Sequence, residues 1–371
     1  MSDYGSTRQQ SFQTGKVARG NTMPSEVRMR NYGVGKNLDN LVIRKIAEHV
    51  SAERGNGTAS ENKIVSALHD LAGFMRSEYQ VRDLERVTQE QYAAYADNLR
   101  TELENGEKES STTSSYISAI NSVFEVYDND NYVSAKEYGI ARGHRYDNVD
   151  KSASNEVYKT VLNELRERFV DTADIRYQAL AHSITLQREG GLRFRESTQI
   201  KIERKDFSDN TVRLERGDGV KNGQPRTFTI QNISVFQQAQ QFVREHADWF
   251  TRGSLIPSNM NYSQYRDFAY NVLRSINESL GSTQGFHAFR HSFAHESYAV
   301  KWEAMTGHEV KCPVEIGKFG NEWREYAAAE TGLSKEEVRK LNKEIRLAVG
   351  EELGHHRIDI TNAYLGGHHG R

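Results

Sequence analysis

Four stretches of this chain carry side chains whose types and spacing suit chemistry on an anion. Gly190-Gly191-Leu192-Arg193 is followed by Arg195 and Glu196; Lys221 sits beside Asn222-Gly223; His287 and Arg290 are three apart; and Leu353-Gly354-His355 precedes Tyr364 by nine residues counted from His355. Residues three apart on a helix share a face, so His287 and Arg290 can act on one object. Arginine offers a planar fork that grips two oxygens at once and keeps its charge at any working pH. Histidine and lysine move protons, and a tyrosine hydroxyl can serve as a nucleophile. Each piece alone is ordinary. The chain has 18 Tyr, most of them expected to pack, and a lysine in a turn is usually just solvated.

Taken together, the order and spacing of these motifs, with Phe286, His291, Ser292, Phe293 and Ala294 around the His-x-x-Arg pair, resemble the active site of the tyrosine recombinases, the phage-integrase family. The resemblance covers roughly residues 38–371 and is dense in motif from Gly190 onward. It implies a site-specific recombinase that cleaves and rejoins DNA through a 3′-phosphotyrosine, without metal, ATP or other cofactor. It assigns Arg193 and Arg290 as clamps on the phosphoryl oxygens, Glu196 as support for Arg193, and Lys221 as general acid. His287 becomes a phosphate donor or proton shuttle, His355 a further site residue and Tyr364 the nucleophile. Arg195 is the rival to Arg193, which the Gly-Leu spacing favours. The implied partners are double-stranded DNA with a specific target site, three further copies in a tetramer, and accessory DNA-bending or directionality factors. The implied use is integration or excision of a mobile genetic element. Two alternatives stay open: a family relative that binds DNA without cutting it, and a type IB-like topoisomerase or resolvase.

The chain departs from the family in three places. Arg290 and His355 are 65 residues apart, a few tens more than is usual, and the excess falls at about 301–332. Its Trp302 and Trp323 predict a segment that packs. Seven residues follow Tyr364, which puts docking of a C-terminal tail on a neighbouring protomer in doubt. Residues 1–36 are short for an additional arm-binding domain.

The chemistry needs elements to hold it. Three short strands are predicted by alternation at Ile200–Glu203, Val212–Glu215 and Thr227–Ile230, with Gly217-Asp218-Gly219 and Asn222-Gly223 as turns. Around them the apolar period is helical: from Asn155, Ile175–Arg188, Ile233–His246, Tyr262–Leu280, His287–Val300 and Ser334–Leu353, with Asp359 or Thr361 capping a last helix. Upstream, four apolar stripes begin at Leu38, Ile64, Tyr92 and Ile117, two of them after Thr58/Glu61 and Thr88/Gln91 capping boxes. The expected fold is therefore mainly α with a small antiparallel β-sheet (α+β): a helical core-DNA-binding bundle at 37–140, a linker at 141–154, and a catalytic domain at 155–371. The Ser110–Ser115 run reads as a loop and cap, or as a phosphate contact at a helix start. Arg142, His144 and Arg145 are candidate phosphate contacts in the linker. Residues 1–36, with six Lys or Arg against Asp3 and Glu26, read as a basic flexible arm or a solvated tail.

Composition sets the bounds. A length of 371 residues suits about two or three domains, and 36% hydrophobic residues can support cores despite a mean hydropathy of -0.76. No apolar run is long enough to cross a membrane and the N-terminus lacks a signal-peptide pattern, so a cytoplasmic protein is expected. A net charge of -2 and pI near 6.7 lend nucleic-acid binding no support. A single cysteine, Cys312, excludes an internal disulfide. Neither the cluster His355, His356, His368, His369 nor the pair His308 and Cys312 has metal-site spacing, so metal catalysis is not expected.

Overall fold

The structure is a computed structural model, and it describes residues 35–55, 58–140, 148–220, 225–230, 232–355 and 357–367. The chain divides into two compact units, 1–145 and 146–371. Most of the basic arm, the linker candidates Arg142, His144 and Arg145, Lys221 with its Asn222-Gly223 turn, and His356, His368 and His369 lie outside the described residues.

In the N-terminal unit four α-helices are described: α1 Asn40–Glu53, α2 Thr58–Tyr79, α3 Gln89–Glu104 and α4 Ser110–Val126. Each buries one stripe, and the stripes share a core with Ile46, Leu68, Leu71, Tyr95, Leu99, Ile120 and Phe124. The starts are chemically marked. Asp39 accepts the Val42 N–H at 2.8 Å, and Thr88 and Gln91 close a reciprocal capping box. The Ser110–Ser115 run is neither loop nor cap. It forms the first turns of α4, with Glu109 at the N-cap, and the Ser115 hydroxyl donates back to the Ser111 carbonyl at 2.7 Å. Back-bonding of this kind absorbs the hydroxyls that would otherwise compete with the helix.

The C-terminal unit is mainly helical around one hairpin. Its elements in order are α5 Asn155–Thr172, α6 Ile175–Gly190, α7 Phe194–Gln199, β1 Thr211–Leu214, β2 Arg226–Thr229, α8 Ile233–Glu245, α9 Tyr262–Leu280, α10 His287–Thr306, α11 Pro313–Ile316, α12 Gly320–Thr331, α13 Lys335–Glu352 and α14 Ile358–Leu365. β1 and β2 pair antiparallel with Val212 opposite Phe228. This is the mainly α fold with a small antiparallel sheet that the sequence predicts.

The strand expected at Ile200–Glu203 is not one. Ile202–Arg204 forms a 3₁₀ turn, and both Ile200 and Ile202 are fully buried. The alternation was real, but it reflects a turn plugged into the core. The carbonyls of Ile202 and Lys205 are satisfied by the buried Gln240 side chain, at 2.9 and 2.8 Å, instead of by a neighbouring strand. The cap expected for the last helix is also absent: Arg357 stands at the N-cap of α14, Asp359 pairs with Arg357, and Thr361 bonds back to Ile358.

Residues 301–332 pack. α10 runs on to Thr306, and Trp302 and Trp323 are buried with ring centroids 6.0 Å apart. Their cluster includes Tyr298, Cys312, Val349, Leu353, Tyr364 and Leu365, so this segment shares one core with the end of α13 and with α14.

Gly190-Gly191 ends α6 for a steric reason. A Cβ on Gly190 would lie 2.4 Å from the Phe236 ring, and one on Gly191 2.4 Å from the Phe293 ring, with Gly191 at φ +58°. Gly191→Ala therefore meets both a left-handed backbone penalty and overpacking. It should lower stability by about 2–4 kcal/mol. A urea midpoint within error of wild type would refute this reading of the turn.

Candidate active site

The site is assembled from four chain segments of the C-terminal unit. The Gly190-Gly191 turn delivers Arg193 to the N-cap of α7. The first turns of α10 present His287, Arg290 and His291. The end of α13, broken by Gly354 at φ +69°, presents His355, and α14 presents Tyr364.

Glu196 lies at the centre, fully buried. Its Oε1 accepts from Arg193 at 2.6 Å, its Oε2 accepts from Arg226 at 2.8 Å and from the Arg193 backbone N–H at 2.8 Å, and Arg290 stands 3.9 Å away. Burial alone would raise the Glu196 pKa. The guanidiniums of Arg226, Arg193 and Arg290 outweigh that effect and hold it at about 2.

The guanidiniums spend their other donors on carbonyls that helix geometry leaves open. Arg290 donates to the carbonyls of Gly191 and Leu353, and Arg226 donates to the Glu352 carbonyl at 2.5 Å. These lie at the ends of α6 and α13, where the carbonyls have no partner within the helix and the dipole favours a cation. Burial lowers the Arg226 pKa to about 10, which leaves it charged at neutral pH, and burial lowers that of Arg290 too.

Tyr364 is 5% exposed, and its Oη accepts a hydrogen bond from Arg290 Nε at 3.2 Å. Three imidazoles surround its ring, with centroids at 4.7 Å for His291, 5.5 Å for His287 and 6.1 Å for His355. Arg193 Nη2 reaches His355 Nε2 at 3.4 Å. His287 keeps one side open to solvent, yet desolvation and then the charges of Arg290, Arg193 and Lys151 pull its pKa to about 4. The same order of causes, burial before neighbouring charge, takes His291 to about 3. Both rings are neutral at pH 7, so each can accept a proton as well as donate a hydrogen bond.

The structure thus brings together Arg193, Glu196, His287, Arg290, His355 and Tyr364. It separates Arg195, which bonds to Gln199 and lies over the Tyr262 ring instead. Lys221 falls outside the described residues. Three participants went unread in the sequence. Arg226 shares the strand phase of Phe228 and Ile230, and a charge in the buried phase of a strand was the available signal. His291 and His295 follow His287 at intervals of four, which puts all three on one face of α10. His295 Nε2 bonds to the Tyr364 backbone carbonyl at 2.8 Å.

Known proteins resemble this chain in part of its sequence and in its fold. Residues 146–296 match the family model described as Integrase, a span that includes Arg193, Glu196, Arg226, His287 and Arg290. A XerH site-specific recombinase bound to difH substrate, in a pre-cleavage complex, superposes with a TM-score of 0.53 at 13% identity, over 95% of this chain and 90% of that one. A post-cleavage XerH complex with a palindromic difH substrate gives 0.52 at 13%, over 88% and 80%. The Tn1549 transposon integrase, in complex with circular intermediate DNA, gives 0.50 at 14%, over 88% and 95%. No curated protein matches by sequence. Residues 146–296 thus resemble an integrase, and the chain shares the fold of these recombinase structures. His355 and Tyr364 lie beyond the matched span, on the far side of the 301–332 segment.

Glu196 is the testable centre of the site. Its folded pKa lies below its ordinary 4.5, so its contribution to stability is complete above about pH 4.5 and is lost as pH falls towards about 2. Glu196→Gln leaves buried guanidiniums uncompensated and should cost about 3–5 kcal/mol at pH 7. The penalty should shrink on acidification through that window. Equal penalties at pH 7 and pH 3 in denaturant titrations would contradict the assignment.

Proposed function

We propose that the protein is a site-specific DNA recombinase that cleaves and rejoins DNA strands through a 3′-phosphotyrosine formed on Tyr364. The observation that carries the reading is the Arg290 Nε to Tyr364 Oη contact of 3.2 Å, in a pocket that also holds Arg193 and His355. Tyrosine is a nucleophile only as it loses its proton, and a guanidinium beside its oxygen is placed to balance charge that develops there during attack.

In the forward step Tyr364 Oη attacks the scissile phosphorus, the 5′-oxygen of the next nucleotide departs, and the phenolic proton passes to a neutral imidazole, His287 being the nearer to solvent. Arg193 and Arg290 balance the charge that builds on the non-bridging oxygens, a preorganised role whose loss typically costs ~10²–10³ in rate. Lys221 is assigned to protonate the leaving oxygen. Rejoining reverses the roles: a 5′-hydroxyl attacks the phosphotyrosine and Tyr364 leaves, so bond energy is conserved and neither ATP nor a metal ion is required. Because Tyr364 is 5% exposed and Arg290 donates to Tyr364 and to the carbonyls of Gly191 and Leu353, α14 has to move outward when DNA enters.

The partner is duplex DNA with a defined site, as in the XerH and Tn1549 complexes. Exchange of both strands of two duplexes requires four nucleophiles, hence a tetramer. The N-terminal bundle is assigned to hold DNA, and integration or excision of a mobile element is the assigned use.

Trapping on a nicked duplex drawn from the DNA flanking the gene, in magnesium-free buffer, should give a covalent adduct that maps to Tyr364. Tyr364→Phe should bind the duplex normally and form no adduct. Arg193→Lys should reduce the adduct rate by about 10²-fold or more, because an ammonium cannot grip two oxygens. Binding without any adduct from the wild-type chain would favour a non-cutting relative. Turnover dependent on Mg²⁺ would reject the mechanism.

A further inference from the structure

Behind Tyr364, on the side away from its hydroxyl, lies a second group of side chains. His295, Cys312 and Glu315 place a ring nitrogen, a thiol sulfur and a carboxylate oxygen within 4.8 Å of one another. We infer that these three residues bind a divalent metal ion of the zinc class, and that the ion ties the 301–332 segment to α10, whose His295 holds the Tyr364 backbone carbonyl. The inference does not depend on the recombinase reading.

Hydrogen bonding sets up the donors. His295 is 6% exposed, and its Nε2 bonds to the Tyr364 carbonyl at 2.8 Å. A carbonyl only accepts, so Nε2 carries a hydrogen and Nδ1 is the nitrogen turned towards Glu315. A ligating histidine is commonly oriented through its other nitrogen in this way. Nδ1 faces Glu315 Oε2 at 4.0 Å, beyond hydrogen-bond reach. A cation placed between Nδ1 and the carboxylate would take both as ligands.

Cys312 supplies the third donor. It is fully buried and forms the N-cap of α11, where Glu315 accepts its backbone N–H at 2.9 Å. That contact fixes the Cys-x-x-Glu pair on one turn, and a hydrogen bond between the Cys312 thiol and the Glu315 carboxylate sets the two side chains against each other. Tetrahedral zinc with N, S and O donors needs ligand atoms ~3.3–3.7 Å apart. The Glu315 side chain, 26% exposed, can rotate to close the gap. A cleft of about 480 Å³ reaches His295 and Glu315. Its wall carries Glu296, Glu303 and Glu309 against Arg188 and Lys311, which favours entry of a cation and leaves a fourth position for water. Binding converts the Cys312 thiol to a thiolate and releases one proton to solvent.

The test uses the full-length chain, stripped with chelator and dialysed against Zn²⁺ or Co²⁺. Elemental analysis should find about one ion per chain, and the Co²⁺ form should show a thiolate-to-cobalt charge-transfer band. Cys312→Ser and His295→Ala should each weaken binding by more than about tenfold and remove or shift the band. Glu315→Gln, at the solvent-facing edge, should do so without altering the metal-free melt. It therefore separates lost ligation from a folding defect. Replacing His368 and His369 with glutamine should change nothing. No retained ion, or retention unchanged in Cys312→Ser and Glu315→Gln, overturns the proposal. So does stabilisation of the chain by mild acid in place of metal, which would make His295 and Glu315 a simple ion pair.

Discussion

The C-terminal unit depends on one buried carboxylate. Three guanidiniums face Glu196, so the group carries a surplus of positive charge in the interior. A buried charge is tolerated only where it is paired and fully hydrogen-bonded. Here the pairing comes from Glu196, and further donors of Arg290 and Arg226 meet the carbonyls of Gly191, Leu353 and Glu352. The same bonds that make the arginines tolerable also join α6, α7, β2, α10 and α13. Charge compensation and tertiary assembly are thus one interaction.

That surplus has a chemical meaning. Carbonyl dipoles satisfy guanidinium protons without cancelling the charge, so the pocket keeps an attraction for an anion that a set of one-to-one salt bridges would lack. The imidazoles of His287 and His291 are kept neutral first by burial, and the nearby positive charges then make a further one costlier. Overall charge told a different story. A net charge of -2 describes the whole surface and says nothing of a few arginines concentrated inside one unit.

The 301–332 segment shows how an extension between two motifs can be absorbed. It forms a layer of aromatic core under α14, and a Cβ on Gly366 would meet Val314 at 2.8 Å and Phe319 at 3.0 Å. The tyrosine helix is thereby seated on its own chain. Its position is set by packing against Trp302, Trp323 and Val349 as much as by the short link from His355.

The sequence by itself determined most of the helices, the Thr88/Gln91 capping box, the hairpin and the order of Arg193, His287, Arg290, His355 and Tyr364, because period, cap chemistry and motif spacing are local properties. It misled where local pattern and tertiary use diverge. Ile200–Glu203 alternates like a strand but is a turn whose carbonyls Gln240 satisfies, and the Ser110–Ser115 run is helical because its hydroxyls bond backwards. Only the tertiary structure decided that Arg226 belongs to the site, that Arg195 does not, and that His295 supports the tyrosine from behind. Each of those outcomes rests on contacts between residues far apart in the chain, and the free energy of a buried charge is set by what surrounds it, which no spacing along the sequence records.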